Sequence, residues 1–284
     1  MEGKDLDKLR TEEFFSHDLA LIRDSSRWQK YGKFIATALG AVPWVGTLLS
    51  LRTTWKADET QSSINSLYED WLTVHREKVG HLIEALDEVA HRVEEVDQDL
   101  TQRVESEEYL GLVRRAFRSW DVAETDEKRR YLVNLITNAA ATELSPDDMI
   151  RLFADWIDSY HEAHFKVIRE IYQKPHSTRY DIWSSVSGAL PRDDSAEADL
   201  FKLLIRDLST GSVIRQYRET NHHGEFLAAK KKATRKGQAS STLESAFERT
   251  KEYVLTDLGS QFVHYTMNEV TTKIEQDRTS PGSW

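Results

Sequence analysis

LFKLLIRDLSTGSVIRQY, residues 200–217, decides the fold of the last third of this chain, because a helical run stops at Thr210-Gly211 and a strand begins. Its counterpart YVLTDLGSQFVHY, residues 253–265, has the opposite order, a strand leading into a helix whose start is Thr256, a residue suited to an N-cap. Upstream, HFKVIREIY (164–172) and TRYDIWSSV (178–186) read as two further short helices, and the run from Ala196 makes a third. Residues 219–245, which join the two strands, are polar and basic and contain Gly224 and Gly237. The expected module therefore spans 160–274, with residues 275–284 as a disordered tail.

Ahead of this module, residues 1–159 read as a helical body. From about 59 to 108 a single long helix is expected, since Leu82, Leu86, Val89, Val93, Val96 and Leu100 follow one another at alternating spacings of four and three. That is the seam of a coiled coil. Ile64, Leu67, Trp71 and Val74 keep the rhythm out of phase with it, which implies a stutter near 75–79. Residues 84–108 carry ten acids against Arg92 and Arg103, a net of −8. An identical parallel partner would repel itself along such a seam, so the helices of 109–159 in the same chain are expected to cover it. Ser145-Pro146-Asp147-Asp148 marks the start of a helix running to about 159.

Between Lys33 and Arg52 no charge occurs, and FIATALGAVPWVGTLLSL (34–51) admits two readings. As a membrane segment, Phe34, Ile35, Leu39, Val42, Pro43, Trp44, Val45, Leu48 and Leu49 would meet lipid over the minimum spanning length. As a buried hairpin, it has Gly40, Pro43 and Gly46 to break one helix into two short apolar pieces. Burial in the resting protein is the favoured alternative, with exposure on activation kept open.

Composition narrows the chemistry. The 284 residues hold 12 Gly and 5 Pro, which leaves room for long helices, and no Cys, which removes disulfides, thiolate nucleophiles and zinc fingers together. MEGKDLDKLRTEEFF has no apolar core of the secretory kind, so the cytoplasm is the expected location, with membrane association only on activation. No phosphate-binding loop, dinucleotide turn, nucleophile elbow or paired-carboxylate signature is present, so no enzyme activity and no cofactor is expected. Trp71, Trp120, Trp156 and Trp183 fall at apolar positions and read as core.

Within an acidic chain of net charge −10, residues 202–236 carry nine cations against Asp207, Glu219 and Glu225, a net of +6. Lys202, Arg206, Arg215, Arg218, Lys230, Lys231, Lys232, Arg235 and Lys236 are thus candidates for docking an acidic partner, either a protein or nucleic acid. Glu197, Asp199 and Asp207 on the same helix oppose phosphate contact, so protein docking stays open beside it. Asp158, His161 and His164 stand three apart and could present one metal-binding face, although a helix end packed in the fold explains them more simply and no metal is expected. His222 and His223 read as exposed loop residues.

The order of elements over about residues 161–272 resembles the winged-helix fold, carried by the two phrases quoted first, with a wing loop much longer than compact wings have. More loosely, the apolar stretch around Pro-x-x-Gly, the segment KRRYLVNLITNAAATELSPDD (128–148) and the VLTDLGSQF phrase resemble in layout the bacterial abortive-infection proteins of the Abi-alpha kind. That likeness implies antiviral defence without a catalytic residue set. The fold class expected is mainly α: an elongated helical bundle with a coiled-coil-like long helix, followed by a winged-helix-like α+β module. A protein partner is the leading expectation, with nucleic acid, a membrane and self-association as further ones, and a winged-helix DNA-binding regulator as the rival function.

Overall fold

In the computed structural model, which describes residues 30–45, 78, 80–94, 100–142, 145–223, 225–227 and 245–267, the chain is mainly helical and carries one small antiparallel sheet. It divides into two compact units, Met1–Asp158 with Tyr265–Trp284, and Ser159–His264. Lys230, Lys231, Lys232, Arg235, Lys236, Leu48, Leu49, the first heptads (59–77), Val96 and the tail 275–284 lie outside the described residues.

In the first unit the uncharged stretch becomes helix α1 (Gly32–Ala41), whose Phe34, Ile35, Ala38 and Ala41 fall on one buried face. The partner surface is α3 (Glu107–Val122), where the Phe34 ring lies 6.4 Å from both Tyr109 and Phe117. At Val42 the backbone turns extended, and Pro43, which has no N–H to give the preceding turn, starts a new one. Val42 and Val45 are buried, Leu39 and Trp44 are half-buried, and Pro43 is exposed. The Trp44 indole Nε1 donates to Asp121 Oδ1 at 2.6 Å. No helix among the described residues is long and apolar enough to cross a membrane.

Residues 80–94 are helical and bury Leu82, Leu86, Val89 and Val93, the expected seam, along with Ala85 and Ala90. The long helix does not, however, continue to 108. Leu100 is outside any helix, α2 (Thr101–Val104) is a single turn, and the chain bends at Glu105-Ser106 before α3. The cause is the Ser106 hydroxyl, which caps α3 by accepting the Tyr109 N–H at 3.3 Å. Glu107 and Glu108, counted above with the acidic helix, sit instead at the dipole-favoured first turn of the next one.

Helix α4 (Asp126–Ala141), capped by Thr125, is buried on all sides from Tyr131 to Ala140, the mark of a central helix. Its polar groups are paired: Asn134 Nδ2 donates to the Thr266 carbonyl at 2.8 Å and Asn138 Nδ2 to that of Tyr265 at 2.9 Å. Both acceptors, in Tyr265 and Thr266, group with the first unit, whereas the sequence reading placed these two residues in the module. Helix α5 (Asp147–Ser159) follows Pro146, with Asp147 paired to Arg103.

The second unit runs α6 (Glu162–Gln173), β1 (Ser177–Thr178), α7 (Arg179–Val186), α8 (Ala196–Thr210), β2 (Ile214–Gln216), β3 (Glu252–Leu255) and α9 (Asp257–Thr266), whose last two residues belong to the first unit. The sheet order is β1-β3-β2, all antiparallel, with Ile214 opposite Leu255 and Ser177 opposite Tyr253. The three helices after α6 start on a hydroxyl: Thr178 and Ser195 accept from the N–H three residues on, and Thr256 accepts the Gly259 N–H at 2.9 Å. Phe165, Phe201, Leu208, Val213 and Phe262 form the core between helices and sheet.

Candidate anion-binding cleft

Helix α8 ends where β2 begins, and this corner opens a cleft of about 640 Å³. Its floor is apolar, made by Ile205, Ile214 and Tyr253, and its walls are cationic: Arg206 from α8, Arg215 from β2, Arg218 just beyond it and Arg179 from the first turn of α7. Ser209, Thr210 and Gln216 add neutral polar groups, and no carboxylate lines it. Three of the four arginines, Arg206, Arg215 and Arg218, are ones the sequence singled out. Arg179 was not, because only the pairing of β1 with β3 brings it beside the corner. The Thr178-x-x-Asp181 capping pattern, which fixes Arg179 at a helix start, is the local signal for its position.

Tyr253 organises the floor. Its hydroxyl accepts from Arg179 Nε at 3.0 Å and from Gln216 Nε2 at 3.4 Å, so the Arg179 head is held while its terminal nitrogens remain available. Arg215 is exposed and its guanidinium carbon lies 4.8 Å from the centre of the Phe226 ring, a cation–π distance. Arg206 Nε stands 3.8 Å from Asp207 Oδ1, too far for a hydrogen bond. Arg179, Arg215 and Arg218 have no ion-pair partner among the described residues. Four guanidinium groups around one cleft repel each other, and an anion that enters relieves this while taking bidentate bonds.

The remaining candidates are placed elsewhere. Lys202 is engaged by Asp199 at 3.2 Å and by the Asp193 carbonyl at 3.4 Å, and it does not line the cleft. His222 and His223 are exposed, with their rings tilted against each other at 3.9 Å. Asp158 accepts from the Ser119 hydroxyl at 2.7 Å. Among the described residues no group of three metal-ligating side chains forms.

His164 has a structural setting instead. It is 4% exposed, its Nδ1 accepts the His161 N–H at 3.1 Å, and its ring stacks on Tyr160 at 4.9 Å. The ring proton therefore sits on Nε2, which is buried without a hydrogen-bond partner and 3.8 Å from Asp207 Oδ2. Burial holds the imidazole below its ordinary value of 6.5 despite the attraction of Asp207, and His161 adds to the lowering. Burial, with Asp207 second, pushes the Tyr160 hydroxyl up to about 12. Because the folded imidazole refuses a proton that the unfolded chain accepts, stability is expected to fall as pH drops below 6.5 and on through the lower folded pKa. Urea midpoints taken from about pH 7 to pH 5 check this: His164→Gln should flatten the slope, and equal slopes in both chains would assign it to other groups. Comparison of the chain with protein-family models, with curated proteins and with solved structures returns no match.

Proposed function

We propose that this protein acts by binding rather than by catalysis, as a regulatory or defence protein whose second unit is a winged-helix-like module that docks nucleic acid. The order helix, strand, two helices and an antiparallel strand pair supports the winged-helix reading, and a fold of this kind is a scaffold whose function lies in its site. The observation that carries the function is the cleft, where four arginines converge without a carboxylate. Phosphate oxygens spaced along a strand match that chemistry, and release of their counterions drives association. Contact is assigned to the end of α8 and to β2, since the opposite end of α8 presents Glu197 and Asp199.

The test is binding of labelled nucleic acid to the full chain over a range of salt. Replacing Arg215 and Arg218 together with Ala should reduce affinity at least tenfold and lower the log–log salt slope by about one per lost phosphate contact. Stability should stay within about 0.5 kcal/mol, as for other exposed changes. An unchanged slope removes the cleft from the interface. A second reading, a protein partner, is favoured by Leu200, 51% exposed, and Leu203 on the acidic end of α8. It becomes the better one if the parent chain binds no nucleic acid at all.

A further inference from the structure

Phe226 does not fit a surface built only for phosphate. It lines the cleft, yet the residue is 49% exposed. A small hairpin holds it there: Thr220 bridges to Phe226, the Leu227 N–H donates to the Glu219 carbonyl at 2.8 Å, and the Asn221 N–H to that of Glu225 at 2.9 Å. The Asn221 side chain closes the turn by accepting from the N–H groups of His223 and Glu225 at 2.9 and 3.0 Å. The ring is therefore a positioned surface, with the Arg215 guanidinium against it. Tyr217, the residue between Gln216 and Arg218, is also 45% exposed.

We infer that the cleft takes single-stranded nucleic acid, with one unpaired base laid on the Phe226 ring beside Arg215 and the adjoining phosphates on Arg179, Arg206 and Arg218. This rests on the nucleic-acid reading above and adds the strand state to it. In a duplex the faces of the bases are covered by their neighbours, so only phosphates and base edges reach a protein. An exposed aromatic ring suits a base that has left the stack, because every base has a face to lay on it. The size of the cleft agrees, since about 640 Å³ over an apolar floor is far more room than a phosphate needs and lies in the range of sites for larger organic ligands.

Fluorescence anisotropy on the full chain tests it, with a labelled single-stranded DNA, the RNA of the same sequence and the matching duplex as probes. At least one single strand should bind more tightly than the duplex. Phe226→Ala should weaken that binding roughly 5- to 150-fold, the range for loss of one stacked base, while Phe226→Trp keeps it and both variants melt with the parent. Inorganic pyrophosphate should displace the strand from parent and Phe226→Ala alike. If the duplex binds as tightly as the strands and Phe226→Ala alters neither, the inference fails while the nucleic-acid reading stands. If no probe binds at physiological salt, both fail.

Discussion

A chain carrying Val93→Asp is expected to melt roughly 10 °C below the parent, the equivalent of about 3–5 kcal/mol for a unit of this size. Val93 is buried on the seam of residues 80–94 with Leu82, Leu86 and Val89. A carboxylate there must either stay charged in an apolar setting or take up a proton to remain, and both choices cost free energy. The neighbouring cation, Arg92, is already engaged by Asn134 at 2.7 Å and by Glu88. Thermal denaturation followed by circular dichroism reads the effect, and a melting point that does not move would mean that the seam faces solvent.

The second large effect belongs to Gly259→Ala. A Cβ at Gly259 would run into the Val213 carbonyl oxygen and come within 3.0 Å of its carbon and 3.3 Å of the Val213 Cα. These are backbone atoms, and the oxygen is held in place because it accepts the Thr256 N–H at 3.0 Å. Relief would require breaking the junction between β3 and α9. A loss of about 3 kcal/mol or more from the second unit is expected, at the upper end for overpacking. Amide hydrogen exchange in β2 and β3 should rise correspondingly, and unchanged protection would show that the two segments separate easily. Gly211→Ala makes the contrast: its Cβ meets chiefly the Tyr160 hydroxyl, the end of a side chain, and should cost less.

What could be read in the sequence was what depends on neighbours along the chain. The stop at Thr210-Gly211, the cap at Thr256 and the apolar rhythm from Leu82 to Val93 all act within one or two turns, and each has its counterpart in the fold. The heptad rhythm did not reveal the bend at Glu105-Ser106, because acids serve equally in the body of an exposed helix face and at the first turn of a new helix. Strand β1 has two residues and no periodicity, so its pairing with β3 was invisible. Arg179 was lost with it. Phe226 was hidden for another reason: within a polar basic stretch one aromatic residue looks incidental, and only the hairpin from Glu219 to Leu227 makes it part of the cleft.

The buried amides of Asn134 and Asn138 bear on how this protein is made. Their acceptors lie 132 and 127 residues further along the chain. While a ribosome is still adding residues 159–264, α4 therefore lacks two of its hydrogen bonds, each a net contribution of about 0.5–1.5 kcal/mol. Synthesis usually lets the N-terminal domain finish first. Here the N-terminal unit reaches its final stability only after the other unit has been translated, which leaves the newly made α4 dependent on the last described turn of the chain.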